Sequence, residues 1–332
     1  MDRITCLMAR SIIRACAVAT IVVVSLGVGN RNTTNAQIKG FTQRATVTVD
    51  AGMLVANGSL LAAASGSVVR LIDVAGPDMP RVVGQHEFAD EILGLASTEQ
   101  LLFVANSHEG LHQLDISTPS IPEARSVLRT RGQAVGVAVT DEYAFVADNS
   151  VGFDIVSVVG DGSRIGEYLG DGFPRAIGAA GDLVFVADQP NGLIVVDVSI
   201  PVRPDPMAVL SLGADMITQV IVSSEFWSDE SGSIVCVFSA GAGLQVVDVS
   251  DPQMPQVVGS VPLSGPPLDV VLHRQELFVI SNGKLEQFSL SEPSQPLHVA
   301  SINVGSQAGS VAVNDELIFV ASGAEIVVFD RP

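Results

Sequence analysis

The sequence is poor in lysine, tryptophan and cysteine. Among its 332 residues are two lysines, one tryptophan and three cysteines. Acidic residues outnumber basic ones by 36 to 17, and the part of the chain after residue 36 carries a net charge of −22. A surface of this sign repels nucleic-acid phosphates and anionic lipid headgroups. Because no cluster of basic residues offsets it, the composition argues against a nucleic-acid partner.

Cysteine is too scarce for a disulfide-stabilised fold. Cys6 and Cys16 lie in an N-terminal targeting segment, so only Cys236, in the apolar segment SIVCVF, belongs to the remaining chain. An exported protein is stable without disulfides if its core is large, and 47% of these residues are hydrophobic. We therefore expect Cys236 to be a buried small apolar residue and not a nucleophile.

Residues 1–36 have the order of a secretory signal peptide. An uncharged apolar run at 15–29 follows three basic residues, and small residues at 34 and 36 predict cleavage before Gln37. The basic residues are Arg3, Arg10 and Arg14. The run is shorter than the ~20 residues of a membrane-spanning helix, although an uncleaved anchor remains open. The segment predicts a secreted, periplasmic or cell-surface protein whose single domain is 37–332.

A repeat of about 42 residues fills the rest of the chain. Segments such as LLFVAN, YAFVAD and LVFVAD recur seven times, with central residues Ala62, Phe103, Phe145, Phe185, Cys236, Phe278 and Phe319. A second position that recurs in every unit follows 11 or 12 residues later, at Asp73, Asp115, Ser157, Asp197, Asp248, Ser289 and Asp330. Each unit contains four short apolar runs separated by Gly, Asp, Asn and Pro, which is typical of strands and tight turns. Repeats of this kind predict propeller blades.

The two ends of the chain indicate how the propeller closes. The last repeat stops after its third strand at Glu325–Asp330, while an additional strand within residues 38–49 precedes the first unit. We predict an all-β, seven-bladed β-propeller closed by this N-terminal strand, which completes the last blade and protects its edge.

Two segments carry a family resemblance. GLIVVDVSIPVRP at residues 192–204 and GLQVVDVSDPQMP at 243–255 resemble the LVIVD repeat family, and the resemblance covers essentially everything after residue 36. It implies a β-propeller in an exported or surface protein, usually bacterial or archaeal. It implies no catalytic residue, because the family has no established active-site motif. The third unit departs from the pattern, with Ser157 in place of the aspartate and residues 160–164 in place of the proline-bounded turn.

No segment matches a catalytic or cofactor motif. The aspartate of VVDVS precedes a proline-containing turn, where a carboxylate accepts backbone N–H groups, so we expect a structural role. His108 and His112 have the spacing of a zinc motif, but that motif needs a helix and this segment is a turn entering a strand. No serine lies in a nucleophile elbow, and there is no phosphate-binding loop. We therefore expect no enzyme activity, metal or cofactor.

Candidate binding residues follow from the blade geometry. The first strand of each blade lines the central channel, and its inward residues are predicted to be Met53, Gly94, Gly136, Gly178, Gln219, Asp269 and Ser310. Gln219 and Asp269 could bind a ligand, an ion or ordered water there. Asp148 and Asp188 lie in turns between second and third strands, on a polar face where propeller loops commonly carry function.

One irregular unit offers a further candidate. The fifth unit is nine residues longer than usual, and the excess falls in residues 223–233, which contain the only tryptophan, Trp227. Insertions within a repeat map to loops. Trp227 either packs against its own blade or contacts a partner from the face opposite Asp148 and Asp188.

The sequence favours an exported, non-enzymatic and monomeric binding scaffold with a protein or small-molecule partner, at or outside the cell envelope. Two alternatives remain open. One is a hydrolase or lactonase-like propeller with a metal at the channel mouth, for which Asp269 is the main candidate ligand. The other is an envelope protein held in the membrane by an uncleaved N-terminal helix, with no other membrane contact.

Overall fold

Seven antiparallel sheets make up the domain. The structure, a computed structural model, describes residues 40–213, 217–222, 233–239 and 241–332. The regular structure of these residues is 28 β-strands, in seven sheets of four. Trp227 and the predicted signal peptide lie outside the described residues.

Six blades are built from consecutive strands. Blade one contains β2 (Met53–Asn57), β3 (Leu60–Ser65), β4 (Val68–Asp73) and β5 (Arg81–Glu87). Blade two contains β6 (Gly94–Ser97), β7 (Leu101–Ala105), β8 (Leu111–Asp115) and β9 (Glu123–Leu128). Blade three contains β10 (Ala134–Val139), β11 (Tyr143–Asp148), β12 (Gly152–Ser157) and β13 (Arg164–Leu169). Blade four contains β14 (Phe173–Ala180), β15 (Leu183–Gln189), β16 (Gly192–Asp197) and β17 (Asp205–Leu210). Blade five contains β18 (Ile217–Val222), β19 (Ile234–Ser239), β20 (Gly243–Asp248) and β21 (Gln256–Val261). Blade six contains β22 (Pro267–His273), β23 (Glu276–Ser281), β24 (Lys284–Ser289) and β25 (Leu297–Asn303).

The seventh blade joins the two ends of the chain. It contains β26 (Ala308–Val313), β27 (Leu317–Ser322), β28 (Glu325–Asp330) and, as its outer strand, β1 (Thr42–Val47). β1 pairs antiparallel with β28, from Thr42 opposite Asp330 to Val47 opposite Ile326. The first strands of neighbouring blades contact one another in a closed ring that includes β26 and β2. The predicted seven-bladed propeller and its mode of closure are therefore confirmed.

The hydrophobic core is divided into seven clusters, each between two neighbouring blades. Phe145, for example, packs with Ile177, Val184 and Ile194 of the next blade. Cys236 occupies the equivalent position in blade five and is fully buried, and burial raises the pKa of its thiol to about 12. The thiol is therefore protonated and unreactive at neutral pH, as the sequence predicted.

The repeated aspartates fix the turns after the third strands. The backbone N–H of the residue two positions later donates to each carboxylate, at 3.0 Å for Asp73, 3.0 Å for Asp115, 2.7 Å for Asp197 and 2.9 Å for Asp248. The hydrogen bond from the Ala75 N–H lowers the pKa of Asp73. The predicted structural role is confirmed for these four aspartates, whereas the fifth, Asp330, accepts a hydrogen bond from Arg44 at 2.8 Å.

A β-bulge interrupts the pairing between the third and fourth strands of each blade. In blades one, two, three and five, the residue beside the bulge lies close to the turn after the third strand of the next blade. In three blades that residue is glycine. A Cβ would lie 1.9 Å from the Pro119 carbonyl oxygen at Gly84, 1.9 Å from that of Pro201 at Gly166, and 2.2 Å from that of Pro293 at Gly259. Close backbone approach between blades therefore excludes any side chain at these positions.

We expect Gly166→Ala to lower the free energy of unfolding by about 2–3 kcal/mol, the upper range for overpacking. The backbone of Gly166 is outside the left-handed region, so the cost comes from the collision with Pro201. Ser126→Ala, at the equivalent position of blade two, is the matched control and should change stability by less than ~0.5 kcal/mol. Urea unfolding of both variants measures the difference, and equal midpoints would contradict the close-approach explanation.

Candidate functional site

The strand registers define the residues that surround the channel. The equivalent inward residue of each first strand is Met53, Gly94, Gly136, Ala176, Gln219, Asp269 or Ser310. The sequence-based assignment of Gly178 in blade four is therefore wrong. Gly178 pairs with Phe185, whereas Ala176 pairs with Ala187 just after the bulge, as Gly136 pairs with Ala147. Gly178 would be the inward residue only if the turn after the first strand of blade four were shorter than in blade three. The hairpins of both blades have two-residue turns.

Asp269 is the centre of a hydrogen-bond network around the axis. Its Oδ2 accepts hydrogen bonds from the Ser310 hydroxyl at 2.5 Å and from the Val311 N–H at 2.8 Å. Its Oδ1 accepts from the Gln219 side-chain amide at 3.1 Å and from the Val270 N–H at 2.8 Å. The two sequence-predicted channel residues, Gln219 and Asp269, are therefore in contact.

The network connects four blades. Gln219 belongs to blade five, Asp269 to blade six and Ser310 to blade seven, and the Ser310 hydroxyl accepts the N–H of Leu54 from blade one at 3.0 Å. Burial raises the pKa of Asp269, while the hydrogen bonds from Ser310, Val311, Val270 and Gln219 oppose that rise. A carboxylate has about four acceptor positions, and protein donors fill them here. The geometry fits a brace between blades better than a ligand site.

A second group of polar residues lies at the ends of the second strands, on what we call the loop face. This face consists of the turns between second and third strands and the connections between blades. The residues are Ser65, Asn106, Asp148, Asp188, Ser239, Ser281 and Ser322. Several hold the connection that precedes their own blade: Ser65 donates to Asp50 at 2.6 Å, and Ser322 donates to the Val304 carbonyl at 3.2 Å.

Sequence reasoning identified two of these seven residues and missed the set. The signal was present, since the last residue of each LLFVAN-type segment is Ser, Asn or Asp. Such short side chains reach nearby backbone groups. The set therefore fixes the loops of one face in place.

Asp148 is fully engaged with its own turn and with the connection that precedes blade three. It is 1% exposed. Its Oδ1 accepts the Ser150 N–H at 3.0 Å and the Ser150 hydroxyl at 2.7 Å, and its Oδ2 accepts the Gly132 N–H at 2.5 Å. The arrangement leaves little capacity for a ligand, so the structure gives Asp148 a turn-fixing role.

Asp188 occupies the same position in blade four with fewer partners. It is 3% exposed, and its Oδ2 accepts the Asn191 amide at 3.3 Å. Its Oδ1 is buried without a well-aligned donor. Burial raises the pKa of Asp188. Hydrogen bonds from the Asn191 side chain and from the backbone N–H groups of Phe173 and Gln189 oppose this rise, and the charge of Asp171 adds to it. Asp188 is thus a buried carboxylate whose desolvation these hydrogen bonds do not fully offset.

A cleft of about 470 Å³ opens beside Asp188 between blades four and five. Among the described residues, its lining apart from glycines is Phe173, Asp188, Gln189, Pro190, Leu212 and Ile217. Phe173 is 54% exposed. A mainly apolar concavity with one carboxylate is typical of ligand sites. We call it the blade four–five cleft.

We expect Asp188→Asn to raise the stability of the domain at neutral pH by about 0.5–2 kcal/mol, the usual gain from one favourable substitution. A raised pKa in the folded state means that ionising Asp188 costs free energy, and this cost grows as the pH rises from the ordinary value of 3.8 through the folded-state pKa. The gain should therefore disappear as the pH falls toward 3.8.

Thermal melts of Asp188→Asn between pH 3.5 and 7.5 test this expectation. Asp148→Asn is the matched control, since its amide would face N–H donors and should cost about 1–2 kcal/mol. If both variants destabilise the protein equally at neutral pH, the two carboxylates have the same role.

The histidine pair of the sequence does not converge. His108 lies at the turn, with its Nδ1 3.2 Å from Asp90, whereas the ring of His112 packs against Phe88 with centroids 5.2 Å apart. Among the described residues, no group of three or more His, Cys, Asp or Glu side chains could hold a metal ion. The same residues contain no helix long and apolar enough to cross a membrane.

Solved structures share the fold at low sequence identity. The β-propeller domain of Myceliophteria thermophila Cps50 (Swd1) matches with a TM-score of 0.72 and 12% identity, over 88% of this chain and all of that one. The WD40 propeller domain of Doa1 matches with a TM-score of 0.69 and 13% identity, over 88% of this chain and 98% of that one. The computationally designed Ika8 protein matches with a TM-score of 0.64 and 8% identity, over 87% and 99%. These likenesses establish the architecture.

The sequence matches no curated protein. It does match a family model, the LVIVD repeat, at residues 95–128, 131–163, 172–207 and 231–262. These four matches fall in blades two to five of the propeller and leave out β13 and β18. The chain therefore belongs to the LVIVD repeat family.

Proposed function

We propose that the protein is an exported, non-enzymatic scaffold that binds its partner with the loop face. One observation carries this proposal. Leu169 and Phe173, 55% and 54% exposed, lie at the two ends of the connection between blades three and four, and Phe173 also lines the blade four–five cleft. Large apolar side chains on a rigid surface next to a concavity are typical of interaction sites.

The non-enzymatic part of the proposal is supported by the surroundings of the polar side chains. Protein donors occupy the acceptor positions of Asp269. Ser264 lies 3.0 Å from the buried Glu286, but Ser281 donates to the same Glu286 oxygen at 2.6 Å. Glu286 therefore links Ser281, at the end of the second strand of blade six, to Ser264 in the connection between blades five and six. This arrangement fits a structural role.

Site-specific photo-crosslinking in the native host tests the loop-face assignment. A photoreactive residue replaces Phe173 in one variant and Asp141, in a turn on the opposite face, in the other. We expect a discrete adduct from position 173 and none from position 141. The reverse pattern, or no adduct from either, would overturn the proposal.

Export is tested on the same cells. Fractionation should place the chain outside the cytoplasm, and mass spectrometry should find an N-terminal peptide that begins at Gln37, as the small residues Thr34 and Ala36 indicate. An intact N-terminus in the membrane fraction would instead support the anchored form. A stoichiometric metal in the purified protein would favour the metal-dependent hydrolase.

A further inference from the structure

Blades three and four offer an internal comparison. Their hairpins share one register, since Asp148 pairs with Gly152 and Ala134 just as Asp188 pairs with Gly192 and Pro174. Several equivalent positions around the carboxylate differ between the blades. Four of these changes bear on the carboxylate or the cleft: Arg131 in blade three is replaced by Asp171 in blade four, Gln133 by Phe173, Ser150 by Pro190 and Val151 by Asn191.

The change from Ser150 to Pro190 removes hydrogen-bond donors from the carboxylate. Ser150 supplies both an N–H and a hydroxyl to Asp148. Proline has neither group, so Asp188 lacks both of these donors. The backbone N–H groups of Phe173 and Gln189 still favour its ionised form, but its Oδ1 has no well-aligned partner. Asp188 is nevertheless only 3% exposed, and it is one of the residues that line the cleft.

The change from Arg131 to Asp171 reverses the local charge. Arg131 forms an ion pair with Glu167 at 2.7 Å in blade three. In blade four an acid stands in its place, and among the described residues no salt bridge reaches Asp171 or Asp188. The charge of Asp171 acts on Asp188 and disfavours its ionisation. The region therefore has negative charge that a bound cation would balance.

The change from Gln133 to Phe173 adds an exposed aromatic ring to the cleft. Cations bind favourably over aromatic faces, and Pro190, Leu212 and Ile217 offer apolar surface to an alkyl chain. The volume of about 470 Å³ lies in the range of small-molecule sites. The negative charge, the aromatic ring and the apolar wall of the cleft together favour a ligand that carries a cationic group on an alkyl chain.

We propose that the blade four–five cleft binds an alkyl-linked ammonium or guanidinium group, with Asp188 balancing the charge and Phe173 and Pro190 packing on the alkyl chain. Such a group is the side chain of a lysine or arginine on a partner, or a free alkylamine. The inference deepens the proposed function by naming the chemistry that the loop face recognises.

Titrations of the intact domain, followed by NMR, test the proposal with three cationic probes. They are N-acetyl-lysine amide, N-acetyl-arginine amide and n-butylammonium, and N-acetyl-norleucine amide is the neutral control. We expect dissociation constants of about 1 mM for at least one cation and at least tenfold weaker binding of the neutral compound. Tighter binding of the blocked amino acids would assign the site to a partner's side chain, and equal binding of butylammonium would assign it to free amines.

Matched variants make the result specific. Asp188→Asn should weaken cation binding at least tenfold, and Asp148→Asn should leave it unchanged. Phe173→Gln, which restores the blade-three residue at an exposed position, should weaken it several-fold without affecting the fold. Circular dichroism melts confirm that each variant is folded.

Three outcomes would overturn the proposal: no cation binding up to about 100 mM, equal binding of the neutral control, or equal losses from Asp148→Asn and Asp188→Asn. The failure of this inference is distinct from that of the proposed function. A crosslink from position 173 that persists in the Asp188→Asn variant would retain the loop face as the binding face and reject the cation.

Discussion

A chain that begins at Asp50 will aggregate, or melt far below the chain that begins at Gln37. The deletion removes β1 and exposes the hydrogen-bonding edge of β28. It also uncovers the cluster between blades seven and one, against which Ala45 and Val47 pack. Because domains are stable by only about 5–15 kcal/mol, the loss of a whole strand and of ring closure should remove most of that margin. Thermal melts and size-exclusion chromatography measure the effect.

A permuted chain is the matched control for this deletion. Thr42 lies opposite Asp330, where β28 ends, so a short turn after Pro332 could lead directly into residues 38–49. This chain restores the four-stranded seventh blade with the same composition. We expect it to recover most of the melting temperature. If the truncated chain melts like the intact one, β1 is dispensable and the closure has no energetic role.

Asp269→Ala is expected to lower the free energy of unfolding by about 2–4 kcal/mol. The substitution leaves the N–H groups of Val270 and Val311 and the side chains of Gln219 and Ser310 without their acceptor. Each buried donor left unpaired costs about 1–3 kcal/mol, and water entering the channel recovers part of this.

Urea unfolding of Asp269→Ala and Gln219→Ala separates a brace from a ligand site. Gln219→Ala removes one of the four hydrogen bonds and should cost about 1 kcal/mol. An unchanged midpoint for Asp269→Ala would show that the carboxylate does not hold the blades together. In that case a ligand role in the channel would become the better explanation.

The fold could be predicted from the sequence because its signals are repeated. Phe103, Phe145 and Phe278 mark equivalent second strands, and each is buried between two blades. The inward residue of blade four was missed because Ala176 and Gly178 are both small and both lie on the same strand. A pattern of small residues leaves both choices open, and the bulge between Pro174 and Ala176 decides between them.

The sequence predicted the positions of the two aspartates of the loop face but not the difference between them. Asp148 and Asp188 occupy the same place in two similar segments, so their sequences predict the same role. They differ because Ser150 supplies two donors to the first carboxylate and Pro190 supplies none to the second. The sequence shows the proline, but the hydrogen bonds that it removes become visible only from the geometry of the neighbouring blade. Trp227 stays a prediction, since it lies outside the described residues.

The close approach of glycine to proline between blades determines which piece of the chain can be exchanged. Gly84 and Pro119, Gly166 and Pro201, and Gly259 and Pro293 each form a contact whose two halves lie in successive blades. A single blade moved to another place in the ring would carry the glycine of one contact and the proline-containing turn of another, and it would leave both of their partners behind. The unit that can be exchanged is therefore the interface between two blades, from the middle of one blade to the middle of the next. Duplication or grafting of repeats should succeed when the crossover points lie within blades and keep each interface intact.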